Sequence, residues 1–152
     1  MVAVHVFHLI PNWQGVITEL ARVLKPNAPV IHCWSESDDE FKLLWEAWRS
    51  AVPSNEAADV GLRWNRNEGV LEEIGWRTGE TETHHYIYGR SPAGFVQQLE
   101  KRIWSATWRA SEDSLARGVE AVKAVVKQNY SNPENDIVIN ERFIAKAYTF
   151  GK

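Results

Sequence analysis

The stretch Val2–Trp34, VAVHVFHLIPNWQGVITELARVLKPNAPVIHCW, decides the fold class. VAVHVFHLI is rich in β-branched and aromatic residues and stops at the breaker pair Pro11-Asn12. Asn12 is a good N-cap for a helix running to about Leu24, whose apolar residues Trp13, Val16, Ile17, Leu20, Val23 and Leu24 recur at helical spacing. Lys25-Pro26-Asn27 ends that helix, and a second apolar run follows at Val30–Trp34. Strand Val2–Phe7, helix and strand Val30–Trp34 make the strand–helix–strand unit of parallel α/β sheets.

Outward from this unit the alternation continues. SESDDEFKLLWEAWRSAV, from Ser35, reads as a helix capped by Ser37 or Asp38, its first turn acidic as the helix dipole favours. Pro53-Ser54-Asn55 ends it, and the polar stretch at 54–67 reads as a loop. A short helix, GVLEEIG, closes at Gly75, and RTGETETHHYIY has strand composition. Ser91-Pro92 opens another helix, with serine as cap and proline in the first turn. A long helix starts at Ser111, and IVINERFIAKAYTF alternates as a final strand after Asp136.

Composition narrows the function classes. The 152 residues suit one compact domain, with 44% hydrophobic and 24% charged residues. A net charge of −3 gives no electrostatic case for nucleic acid. The single cysteine, Cys33, excludes an intrachain disulfide and reads as a small core residue. No run suggests a membrane span or a basic leader, so the expected location is the cytoplasm. Eight tryptophans, Trp13, Trp34, Trp45, Trp48, Trp64, Trp76, Trp104 and Trp108, are many for this length. Helix packing explains Trp45 and Trp76; walls of an apolar or aromatic pocket are the functional use.

HVFHLIPNW followed by ELARVLKPN resembles the middle of a class I S-adenosylmethionine-dependent methyltransferase: the fourth strand, its helix and the turn into the fifth strand. VLEEIGW before a strand, Ser91–Trp108 and Glu141–Tyr148 extend the resemblance over nearly the whole chain. It implies a partial Rossmann-like sheet of three parallel strands plus a final antiparallel strand, inserted between the fifth and sixth. Flanking helices and a helical cap at about 91–130 complete the implied single domain. It also implies methyl transfer from S-adenosylmethionine to a small molecule.

The family's glycine-rich cofactor loop has no counterpart. Of nine glycines the closest pair, Gly75 and Gly79, stand four positions apart, so no G-x-G occurs. The resemblance begins at the fourth strand, and the expectation is therefore a C-terminal half, truncated before the cradle and inactive alone. The alternative is a non-catalytic small-ligand-binding or oligomerisation module derived from a methyltransferase.

Ligands of open α/β sheets sit at the carboxyl ends of parallel strands. His5 is the candidate catalytic residue there, placed by resemblance where the fourth strand faces the transferable methyl, and His5, Phe7 and His8 are the candidate cofactor contacts. Trp34, at the end of the next strand, is a candidate substrate contact. Trp104, Ser105, Thr107 and Trp108 match an aromatic-S-S-T-W lid of one subgroup, here W-S-A-T-W, and are the other substrate candidates. Glu36 reads more simply as a cap of the next helix, and Glu141-Arg142 as a solvated pair. His5 and His8 have metal-ligand spacing but no visible third ligand, and adjacent His84 and His85 point to opposite faces of a strand, so no metal is expected.

Neither proline nor lysine interrupts Val2–Phe7, which would be an apolar sheet edge without the family's first strand beside it. The expected partner is a second copy pairing through that edge, or a separate N-terminal half. No nucleic-acid or membrane partner is expected.

Overall fold

The structure, a computed structural model, describes residues 1–57, 61 and 68–151, with Asp39 and Glu68 described by their backbone alone. Its elements in chain order are β1 (Val2–Val4), α1 (Trp13–Val23), β2 (Pro29–Ser37), α2 (Lys42–Ala51), α3 (Ser54–Ala57), α4 (Glu68–Glu73), β3 (Trp76–Arg90), α5 (Pro92–Glu100), α6 (Glu112–Asn129) and β4 (Ile137–Phe150). Short 3-10 turns stand at Phe7–Leu9, Asp39–Phe41 and Ser105–Thr107. Helices flank one four-stranded mixed sheet in the order β1-β2-β4-β3. Trp64 and most of the stretch read as a loop at 54–67 lie outside the described residues; its first four residues are α3.

Local chemistry places the helices where capping residues stand. The Asn12 side chain accepts from Gly15 N at 3.2 Å, that of Ser91 from Gly94 N at 3.0 Å, and that of Ser111 from Ser114 N at 3.3 Å. The α1 crossover lets β1 and β2 pair in parallel, Val2 facing Ile31, Ala3 facing His32 and Val4 facing Cys33. β1 and β2 thus form a parallel pair within the mixed sheet.

Two boundaries differ from the sequence reading. The first strand ends at Val4 rather than Phe7, because His5 takes a left-handed backbone (φ 48°) that turns the chain off the sheet. Phe7 then sits in the 3-10 turn with its ring buried. Neither Ser37 nor Asp38 caps α2. Strand β2 continues through Ser37, and Asp38 N donates to Asn140 O at 3.1 Å, so these residues extend the sheet. Helix α2 starts later, behind Phe41, without a side-chain cap.

The chain forms two compact units. The first comprises Met1–Glu36, Asp59–Tyr86 and Glu141–Lys152; the second comprises Ser37–Ala58 and Ile87–Asn140. The first has its own core of Ala3, Phe7, Ile17, Leu20, Val30, Leu71, Trp76 and Tyr148. Gly61 belongs here: a Cβ on it would strike the carbonyl of Phe7 and come within 2.7 Å of Ile10 N. Gly61 N also donates to His8 O at 2.9 Å, so the glycine seats this segment on the 3-10 turn.

The second unit is built on α2 packed against α6. Leu44, Trp48, Val52, Phe95, Leu99, Val122 and Ile139 are among its buried residues. Trp48, with no exposed surface, packs its ring against Gly118 of α6. A Cβ at Gly118 would strike the Trp48 ring and stand 2.8 Å from Val52 Cγ2. Glycine here lets the two helices approach closely. Gly118→Ala is expected to lower stability by about 1–3 kcal/mol, because overpacking outweighs the helical preference for alanine. Urea denaturation at neutral pH checks this; an unchanged or higher midpoint would show that the interface relaxes freely.

Candidate functional site

The carboxyl end of the β1–β2 pair brings together His5, Phe7, His8, Trp34, Ser35 and Glu36. The parallel ladder closes with His5 N donating to Cys33 O at 3.0 Å. A left-handed conformation is uncommon for a residue with a Cβ and is held only where surroundings enforce it. Here the backbone bond to Cys33 fixes one side, and Ser35 Oγ lies 3.3 Å from His5 Nε2 on the other. His5 is exposed.

Beneath it lies His32, only 5% exposed. Its ring stands edge-on to Phe7, with centroids 5.3 Å apart, and tilted on Trp34 at 5.1 Å. Burial, then the neighbouring charges of His5 and His8, push its pKa down to about 4. His32 is therefore a neutral, aromatic-sandwiched imidazole at pH 7. Cys33, buried next to it, has its thiol pushed up by burial and is poorly suited as a nucleophile.

A polar chain runs outward from the same strand end. The Trp34 indole Nε1 donates to Glu36 Oε1 at 2.9 Å, and Arg142 Nη2 of β4 approaches Glu36 Oε2 at 3.5 Å. Glu36 thus orients a tryptophan face instead of capping α2, and Arg142 is tied to it rather than simply solvated. Sequence reading missed both roles. The alternation of β2 put Trp34 and Glu36 on one face, but the partner Arg142 is 106 residues away and invisible to local pattern.

His5, Phe7, His8 and Trp34 are thus all in the first unit, around one strand end. Phe7 is core, and the His8 carbonyl holds Gly61. Trp104, Ser105, Thr107 and Trp108 belong to the second unit. Trp104 joins an aromatic cluster, 4.8 Å from Phe95 and 5.0 Å from Trp45, with the Arg90 guanidinium 5.4 Å over its ring. Thr107 is wholly buried, and its hydroxyl donates to Trp104 O at 2.7 Å. Ser105 opens the 3-10 turn, its carbonyl accepting from Trp108 N at 3.1 Å. Trp108 is 57% exposed while its indole N–H donates to Arg102 O at 2.9 Å.

Arg102 holds this segment in shape. It is left-handed (φ 52°), and its guanidinium donates to the carbonyls of Thr107 and Ala110, each at 2.7 Å, and to Glu112 at 2.8 Å. Among the described residues no three His, Cys, Asp or Glu side chains converge as metal ligands. Among the same residues no helix is long and apolar enough to cross a membrane.

No protein-family model matches the sequence, and no curated protein matches it. Solved structures do. One, from Bacillus halodurans C-125 and provisionally named a methyltransferase, aligns over 99% of this chain and 68% of its own at 12% identity, with a TM-score of 0.50. A second, from Anaeromyxobacter dehalogenans and provisionally named a type II methyltransferase, aligns over 98% of this chain and 63% of its own at 15% identity, with a TM-score of 0.56. A looser likeness, with a TM-score of 0.34, is to a Haemonchus contortus N-methyltransferase in complex with S-adenosylhomocysteine, and no argument rests on it. The chain has a methyltransferase-like fold, and it spans about two thirds of the length of the first two structures.

The depressed His32 pKa carries a consequence for stability. The unfolded chain takes up this proton near the ordinary value of 6.5, whereas the folded chain does so near 4. Between those values the unfolded state binds more protons, so stability falls as pH drops and is fully present above 6.5. The expected loss is on the order of 1 kcal/mol per pH unit in that window. Comparing urea midpoints of the native chain and His32→Gln at pH 5, 6 and 7 isolates it. The gap between the two should narrow as pH falls; a constant gap would mean that His32 titrates normally.

Proposed function

We propose that this chain is part of an S-adenosylmethionine-dependent methyltransferase acting on a small molecule, with the reacting groups at the carboxyl ends of β1 and β2. The observation that carries the reading is the position of His5: an exposed imidazole on a strained backbone, ending the parallel pair of a methyltransferase-like fold. Contacts along β4 support the strand directions the reading needs. The contacts Glu36 to Arg142 and Asp38 to Asn140 step in opposite senses along β2 and β4. Gly75 with Gly151 and Gly79 with Ala147 do the same along β3 and β4. On this reading β1, β2 and β3 share one direction and β4 opposes it.

The residues fit one end of the cofactor only. The imidazole of His5 beside the Ser35 hydroxyl, with Phe7 and His8 following, suits the reacting end. The nucleoside end finds no G-x-G loop in these 152 residues. We read the cradle as supplied by polypeptide outside them, in the same chain or in a partner beside β1. S-adenosylmethionine, when bound, supplies an already activated methyl group. The protein's part is then alignment and exclusion of water, plus a proton acceptor where the nucleophile is a hydroxyl or acidic carbon. His5 Nδ1 is the acceptor in this reading, with Nε2–H donating to the Ser35 hydroxyl, which holds the ring. Trp34, fixed by Glu36, offers an indole face to the substrate. The substrate roles of Trp104, Ser105, Thr107 and Trp108 remain part of the proposal; exposure favours Trp108, whereas Thr107 serves its own turn.

Calorimetric titration of these 152 residues with S-adenosylhomocysteine should give no saturable heat in the micromolar range, and a radiolabelled methyl-transfer assay no turnover. Tight binding would overturn the absence of the cradle. Once a polypeptide restoring the cradle gives turnover, His5→Gln should lower kcat by on the order of 10²-fold and leave the cofactor KM nearly unchanged. An unaltered kcat would remove His5 from the chemistry.

A further inference from the structure

The sheet has two ends, and they differ. The β1 end offers a strand of three residues. The opposite end is β3, fifteen residues long, with β4 on one side and, among the described residues, no strand on the other. Every residue from Arg77 to Ile87 is exposed, so both faces of this edge are open. The segment contains no proline and no lysine, the residues that usually guard an edge. It is rich in threonine and aromatic or β-branched residues, which favour pairing.

We propose that β3 is a self-pairing edge: two copies of this chain join antiparallel along it, extending one sheet through both. The partner is argued from the complementarity of the strand with itself. A two-fold axis normal to the sheet keeps each side chain on its own face, so facing residues must share a face. Three registers centre on the exposed middle of the strand. An axis at Glu82 sets two carboxylates against each other, and one at His84 sets two imidazoles together; both oppose like groups.

An axis at Thr83 avoids this. It puts Thr83 on Thr83 and, on the other face, Glu82 of each copy opposite His84 of the next. Glu80 then faces Tyr86, a carboxylate opposite a phenol. Ile87, 70% exposed, comes over Gly79, whose missing side chain leaves room for it. This register faces no like charges and pairs acceptors with donors twice over. The inference rests on β3 alone and is independent of the methyltransferase reading.

Light scattering at tens of micromolar should give twice the 17.4 kDa of one chain. Thr83→Cys places two thiols on the axis, and mild oxidation should convert it to a disulfide-linked dimer; the native Cys33 is buried and should not interfere. Thr81→Cys alone should not cross-link, whereas Thr81→Cys with His85→Cys should. Thr83→Lys should yield monomers with an unchanged circular dichroism spectrum, and Val4→Lys, at the other sheet edge, should leave the dimer intact. A monomeric native chain overturns the proposal. So does a dimer that Val4→Lys dissociates and Thr83→Lys does not. Cross-linking of Thr81→Cys as readily as Thr83→Cys would overturn the register.

Discussion

The parallel pairing of Val2–Val4 with Ile31–Cys33 constrains everything around the candidate site. Two parallel neighbours cannot be joined by a tight turn, so the intervening residues must cross over the sheet, and α1 is that crossover. The crossover buries Ile17 and Leu20 with Ala3 and Val30, which ties helix packing to strand pairing. It also brings both strands to finish at the same edge. At this edge His5 takes a left-handed turn, after which Phe7 is buried in the core, while His5 itself is exposed.

Much of this was legible from local chemistry. Asn12, Ser91 and Ser111 cap helices because a side-chain oxygen satisfies a first-turn N–H, a preference that needs no tertiary partner. The period of Trp13, Val16, Ile17 and Leu20 marks a buried helical face for the same reason. The location of the site at His5 and Trp34 follows from a topological rule, once two strands are read as parallel. What failed to show was non-local. Strand β2 outruns its apolar segment because β4 supplies hydrogen-bond partners to polar residues, as Asp38 and Asn140 do. The acidic run at 36–40 therefore reads as a helix start and folds as strand and 3-10 turn. Glu40 illustrates the point: its carboxylate accepts from Asn140 N at 3.0 Å, serving β4 and not α2.

The W-S-A-T-W segment shows how one pattern can hold different environments. Trp104 and Trp108 flank the same turn, yet one is packed among rings and the other is largely exposed. Arg102 makes the difference. Its guanidinium satisfies the Thr107 and Ala110 carbonyls, which would otherwise be costly to bury, and its own carbonyl anchors the Trp108 indole. The hydroxyl of Thr107 is used up inside the turn. A row of hydroxyls between two indoles suggests a ligand surface from sequence; of the two, that of Thr107 bonds within its own turn.

The imidazoles at the strand end are not equivalent, and burial separates them. His32 is held neutral by the rings of Phe7 and Trp34 and by the loss of water around it. A positive charge on either neighbour, His5 or His8, makes its protonation still less favourable. The same end of the ladder leaves His5 exposed, its N–H bonded to Cys33 O and its ring beside Ser35. Strain in the backbone and neutrality in the layer beneath are two consequences of one packing arrangement, with Phe7 turned inward at the point where the strand stops.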